Sequence, residues 1–191
     1  MKKIILVLLL LGLVFYLSSL DVQILEELVL LRKPVFTFIA LLFAFMGSWR
    51  FLLPFNILFA LYFKKEKPYN LLVPLGTLGC WIINHLIKEI FRRPRPQIPA
   101  LAIENSFSFP SGHAMVTSCF VLLLAYFIKE HWGKDIPIPA TLYISTMLLS
   151  RLYLGVHYPS DVFVGAALGL ATAWALQRYF GGKHDRSNNK G

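Results

Sequence analysis

Residues 68–87, PYNLLVPLGTLGCWIINHLI, run for twenty positions without a Lys, Arg, Asp or Glu and stop at Lys88. At 1.5 Å per residue, a helix of that length matches a hydrocarbon layer about 30 Å thick. The pattern recurs on both sides. Met1-Lys2-Lys3 opens onto an uncharged run from Ile4 to Leu20. Such a start also describes a signal peptide, but Ser18-Ser19-Leu20-Asp21 is no Ala-x-Ala site, so the run is read as helix one. Asp21–Lys33 is mixed in character and reads as an interfacial stretch. Pro34–Phe63 is apolar apart from Arg50 and too long for one upright span. Gly47-Ser48 divides it into an interfacial or tilted segment, Pro34–Ser48, and helix two, Trp49–Phe63; two separate spans are the alternative. Helix three is the opening stretch, continued to Phe91. Helix four follows from Ser111 to Ile128, helix five from Pro139 to Gly155 and helix six from Asp161 to Tyr179. A polar tail, Gly181–Gly191, is expected to fray.

Composition agrees with this threading. Of 191 residues, 57% are hydrophobic and 15% charged, against about 25% charged in soluble domains. Mean hydropathy is +0.61. A disordered chain, a collagen, a coiled coil and an ordinary cytosolic domain are excluded. The expectation is an all-α, polytopic membrane protein: one domain, residues 1–191, folded as a six-transmembrane helix bundle with an interfacial segment between helices one and two. The two cysteines, Cys80 and Cys119, lie in apolar runs. They form neither a disulfide framework nor a zinc site.

Net charge is +9. The cations cluster between apolar runs instead of lining a solvated stripe with aromatics, so no nucleic-acid partner is implied. Loop bias and attraction to anionic lipid explain most of them. Six spans place both termini on one side, together with eleven Lys and Arg residues, against eight on the other. The richer side is therefore expected to be cytoplasmic.

The remaining cations lie at or within helix ends, where position alone disfavours them, and ionisable residues in spans usually mark function. In the threading, Lys88, Arg95, Ser111-Gly112-His113, Ser150-Arg151, His157 and Asp161 all fall at the extracytoplasmic edge. Lys88, Arg95 and Arg151 could surround one multiply charged anion. Ser111 and Gly112 open a helix whose free N–H groups and dipole favour phosphate, and Gly112 permits close approach. If Asp161 accepts from one ring nitrogen of His157, the other is left as a nucleophile. His113 could then protonate a leaving oxygen. Arg32, Lys33, Arg50, Arg92, His85, His131 and His184 are read as anchors or uncommitted residues.

Lys88-x6-Arg95-Pro96, Pro110-Ser111-Gly112-His113 and Ser150-Arg151-x5-His157-x3-Asp161 resemble the three-part signature of the type 2 phosphatidic acid phosphatase superfamily. That superfamily includes lipid phosphate phosphatases and vanadium haloperoxidases. The match spans Lys88 to Asp161. The resemblance implies a metal-independent lipid phosphatase without a cofactor. By position, Lys88, Arg95, Arg151, Ser111 and Gly112 bind phosphate, with Ser150 as a hydrogen-bonding position. His113 is the general acid, His157 the nucleophile and Asp161 its orienting partner. Arg93 fits a common local pattern without being a fixed position. Dedicated undecaprenyl pyrophosphatases often carry Asp where this chain has Gly112. The implied substrate is therefore phosphatidylglycerophosphate, as in phosphatidylglycerophosphatase B-like members. Undecaprenyl pyrophosphate or phosphatidic acid and diacylglycerol pyrophosphate are the alternatives. The implied partners are the lipid substrate and the bilayer, with no obligate protein partner evident. A soluble haloperoxidase conflicts with the hydropathy. A proton-coupled transporter would place these residues near the midplane and often show an inverted repeat. A lipid-binding scaffold would need the cations but not the His157–Asp161 pair.

Overall fold

The computed structural model describes residues 1–66 and 68–188, with side chains through Phe180. The described residues form eight helices: α1 Lys2–Tyr16, α2 Leu20–Leu30, α3 Pro34–Met46, α4 Trp49–Tyr62, α5 Tyr69–Phe91, α6 Gly112–Trp132, α7 Pro137–Tyr153 and α8 Pro159–Asn188. The protein is thus all-helical.

Two of the expected segments are broken. The first run ends at Tyr16, and α2 leaves the direction of α1 by 89°. The stretch read as interfacial is therefore a helix turned across its predecessor. α3 and α4 bend by 47° at Gly47-Ser48, where Ser48 is extended (φ −82°, ψ 160°). Three helices, α5, α6 and α8 through Phe180, are long and apolar enough to cross a membrane, and counting each bent pair as one span raises the total to five. α7, at seventeen residues, corresponds to helix five of the threading and brings the count to six. α8 continues well past Tyr179, so the expected fraying from Gly181 is not seen through Asn188. Residues 189–191 and the side chain of His184 lie outside the described residues.

Phe51, Phe55, Phe59 and Phe63 recur every fourth position of α4 and the residue after it, which puts them on one face. The face packs on α6, with Phe55 edge-on to Phe120 at 5.2 Å and Phe59 edge-on to Phe127 at 4.8 Å. α5 adds Leu72, Val73 and Cys80 to the same core. Outward faces are Leu- and Phe-rich: Leu6, Leu10, Phe38, Leu58, Leu75 and Leu86 are all exposed, as suits a lipid-facing surface.

α8 packs chiefly on α6 and α1. Two glycines set its distance from α6. A Cβ on Gly169 would stand 2.0 Å from the Met115 carbonyl oxygen, and one on Gly165 2.7 Å from that of Ser111. Either would collide with backbone, so the two helices touch main chain to main chain. This seam lies directly beneath the polar end of the bundle. There the C-terminal ends of α5 and α7 meet the N-terminal ends of α6 and α8, and the Ser111 N–H donates to the Asp161 carbonyl at 3.0 Å.

Candidate active site

Two helix starts, two helix ends and two loops build this polar end. α5 closes on Arg92, held in the left-handed region (φ 44°). This reverses the chain into the 92–111 loop. α7 closes on Gly155 (φ 72°), where a Cβ would meet Arg32 Nη2 at 2.7 Å. Arg32 holds this corner: its Nε donates to the Tyr153 carbonyl at 3.2 Å and Nη1 to that of Pro99 at 2.6 Å. The reading of Arg32 as a simple anchor missed this bracing role. The short turn then delivers His157 into the interior, only 1% exposed.

His157 has a defined orientation. Its Nε2 lies 3.4 Å from Arg95 Nη1. An arginine only donates, so Nε2 carries the lone pair and Nδ1 the proton. Nδ1 lies 3.4 Å from Ser108 Oγ and 3.6 Å from Asp161 Oδ2. In place of the direct Asp161–His157 hydrogen bond expected from the spacing there is a longer contact of 3.6 Å. Ser108 stands beside both, because its hydroxyl donates to Asp161 Oδ2. Asp161 also accepts the Tyr158 N–H at 3.0 Å and Arg93 Nη1 at 2.7 Å. Burial, then Arg95, Arg151 and Lys88, hold the His157 imidazole well below its ordinary range.

His113 is in the first turn of α6. Its Nε2–H donates to the Ala44 carbonyl of α3 at 3.0 Å, since a carbonyl only accepts. That leaves Nδ1 facing the pocket. Ser111 caps α6, accepting the Ala114 N–H at 3.5 Å. A Cβ on Gly112 would stand 3.0 Å from Asn84 Oδ1 and 3.9 Å from Lys88 Cε.

The cations converge. Lys88 is buried in the last turn of α5 and donates to the Phe107 carbonyl. Arg95 donates to the carbonyls of Ser106 and Val156, each at 2.7 Å. Burial lowers its guanidinium, against the pull of Glu104 and Asp161. Arg151, 1% exposed, pairs through Nη2 with Glu104, while its buried Nε has no partner. Glu104 is also 3.8 Å from Arg95 and 3.8 Å from His113 Nδ1. One carboxylate therefore touches two of the three cations and the candidate acid, at the point on which they converge.

Eight of the nine residues singled out by sequence, Lys88, Arg95, Ser111, Gly112, His113, Arg151, His157 and Asp161, are brought to this one end. The ninth, Ser150, expected as a hydrogen-bonding position, donates its hydroxyl to the Met147 carbonyl at 2.7 Å, back along its own helix. Sequence reading missed Ser108, Glu104 and the Ala44 carbonyl, and it left Arg93 uncommitted. Ser108 and Glu104 carry no periodic signal, lying in an irregular loop. Only the local Arg93-Pro94-Arg95-Pro96 repetition hinted that both arginines turn inward. No group of His, Cys, Asp and Glu suited to a metal ion is present among the described residues.

Residues 70–185 match the model of the PAP2 superfamily. The chain is 35% identical to the phosphatidylglycerophosphatase B of Bacillus subtilis strain 168, over 80% of this chain and 79% of that protein. It is 37% identical to the decaprenylphosphoryl-5-phosphoribose phosphatase of Mycobacterium tuberculosis, over 70% of this chain and 73% of that one. The fold superposes on the crystal structure of the transmembrane PAP2-type phosphatidylglycerolphosphate phosphatase from Bacillus subtilis with a TM-score of 0.84. That match is at 30% identity and covers 93% of this chain and 94% of that one.

Proposed function

Because the chain belongs to the PAP2 superfamily, we propose that it is a multi-pass membrane lipid phosphatase. It releases phosphate from a lipid headgroup, phosphatidylglycerophosphate first among candidates, through a phosphohistidine at His157. One observation carries this reading. Glu104, an anion, sits on Arg151 and within 3.8 Å of Arg95 and His113, where a phosphoryl group would meet the same donors. All of this lies at one end of an apolar bundle, so a headgroup can reach it while its chains stay in the bilayer.

The chemistry follows from the orientations. Lys88, Arg95, Arg151 and the α6 N-terminus hold the phosphoryl oxygens. The His157 Nε2 lone pair attacks phosphorus, the P–O bond to the glycerol breaks, and His113, protonated on both ring nitrogens, gives its Nδ1 proton to the departing oxygen and becomes neutral. Asp161 and Ser108 keep the His157 Nδ1 proton in place and balance the charge that grows on the ring. In the second half His113 takes a proton from water, which attacks the phosphohistidine and frees phosphate. The single domain covers residues 1–191.

Phosphate release from phosphatidylglycerophosphate, phosphatidic acid and undecaprenyl pyrophosphate, measured on purified protein in EDTA, tests the reading. Turnover of phosphatidylglycerophosphate is expected at about tenfold higher kcat/KM than the others. EDTA should leave it unchanged and vanadate should inhibit it. Loss of activity in EDTA that Mg²⁺ restores would show that the chemistry needs a metal.

The pocket is assigned to the extracytoplasmic side, with both termini in the cytoplasm, on the eleven-to-eight charge bias. Ile103, 93% exposed in the 92–111 loop, offers a labelling position, and both native cysteines are buried. Ile103→Cys is expected to react with an impermeant maleimide in intact spheroplasts. Reaction only after permeabilisation would reverse the topology.

A further inference from the structure

Asp21 is a carboxylate in α2, only 3% exposed and buried at considerable desolvation cost. It lies outside the 70–185 segment of the family match. The 89° corner between α1 and α2 brings it to the start of α8. Its Oδ1 accepts the Ser160 N–H at 2.8 Å, and Oδ2 accepts both the Ser160 hydroxyl and Arg93 Nη2, the latter at 2.7 Å. Arg93 in turn reaches Asp161 through Nη1 at 2.7 Å. Its guanidinium lies 4.0 Å from the Tyr158 ring and 4.9 Å from that of Tyr16. The chain of contact is Asp21, Arg93, Asp161, His157.

We propose that Asp21 is a positioning residue which holds Arg93 and offsets its charge, so that the negative field of Asp161 at His157 is not cancelled by the guanidinium. Arg93 is one of three donors to Asp161, beside Ser108 and the Tyr158 N–H, but an uncompensated guanidinium 2.7 Å away would also oppose the negative field that supports His157. Asp21 resolves that conflict by sharing the cation. The need is acute because the other groups around His157 are mostly positive: Lys88 from α5, Arg95 from the loop and Arg151 from α7, with His113 from α6, while Glu104 is held on Arg151 and near Arg95 and His113. This inference rests on the phosphohistidine reading above, with His157 as the nucleophile.

A carboxylate that merely caps α8 through Ser160 makes a different prediction from one that balances charge, and a charge-neutral pair separates them. Asp21→Asn keeps the shape and removes the charge. It is expected to slow phosphohistidine formation about tenfold with KM within about twofold. It should also move the acid limb of kcat/KM to lower pH, because a more positive surround disfavours imidazolium. Asp21→Asn combined with Arg93→Gln restores the charge sum. It should recover most of the lost rate and return the limb toward its wild-type position. Asp21→Asn with a wild-type rate, or a double variant slower than Asp21→Asn with an unmoved limb, would overturn the proposal. If Asp21→Asn does not accumulate as folded protein, Asp21→Glu and the double variant decide: both keep the charge sum, and a displaced acid limb in either would overturn it. Failure of the wild-type protein to form any phosphohistidine would instead refute the underlying reading.

Discussion

His157→Ala is expected to lower phosphate release by at least about a thousandfold while the bundle still folds and inserts. The ring is 1% exposed, and its neighbours are Arg95, Ser108 and Asp161. Arg95 keeps its carbonyl partners and Asp161 its bonds to Arg93, Ser108 and the Tyr158 N–H when the ring is removed. The loss is therefore chemical. Trapping acid-labile, base-stable phosphate on the wild-type protein and finding none on the variant checks it; full turnover by a folded variant would end the covalent mechanism. The pH profile gives an independent measure. Attack needs neutral Nε2, and burial with three nearby cations holds the His157 imidazole low. The competent form then persists to pH values below the usual imidazole range, near 6.5. The acid limb of kcat/KM should accordingly fall on the acid side of that value, once the substrate's own second ionisation has been measured separately.

His113→Ala should cost a factor of about 10² to 10⁴ on a lipid substrate. The reason is geometric. The Ala44 carbonyl holds Nε2–H at 3.0 Å, so Nδ1 is the nitrogen that can carry a proton to the leaving oxygen, and it faces the pocket beside Glu104. A glycerol alkoxide is a poor leaving group and needs that proton; a nitrophenolate does not. The loss should shrink to about tenfold or less with a nitrophenyl phosphate, and the alkaline limb of the profile should flatten. If His113→Ala slows both substrates by one factor, the residue binds phosphate and donates no proton.

The parts of the molecule legible in sequence were those with a local cause. Apolar runs such as residues 68–87 mark helices, Gly47-Ser48 marks a break, and alternate helix ends bring Lys88, His113, Arg151 and Asp161 to one side. What could not be read depends on where separate elements meet. Asp21 looked like one acid among several in a mixed stretch, because nothing local signals an 89° corner. Ser108 and Glu104 sit in an irregular loop, where neither helical nor strand periodicity assigns a direction. Ser150 entered as a hydrogen-bonding position of the signature, and the motif does not name its partner, the Met147 carbonyl one turn back on its own helix. Ala44 contributes only a carbonyl, which side-chain identity cannot reveal.

The glycine seam between α6 and α8 limits how the enzyme can breathe. Ser111 and His113 stand on one helix and Asp161 on the other, and the backbones beneath them are in contact at Gly165 and Gly169. Neither helix can approach the other further, and parting them would break the Ser111–Asp161 main-chain bond. The donor side of the pocket is therefore an anvil. On the proposed function, movement that admits a headgroup and expels phosphate would fall to the opposite wall, the part of the 92–111 loop that carries Arg95 and Glu104. The floor would then keep the spacing of His113 and Asp161 constant while the roof exchanged Glu104 for the incoming phosphate.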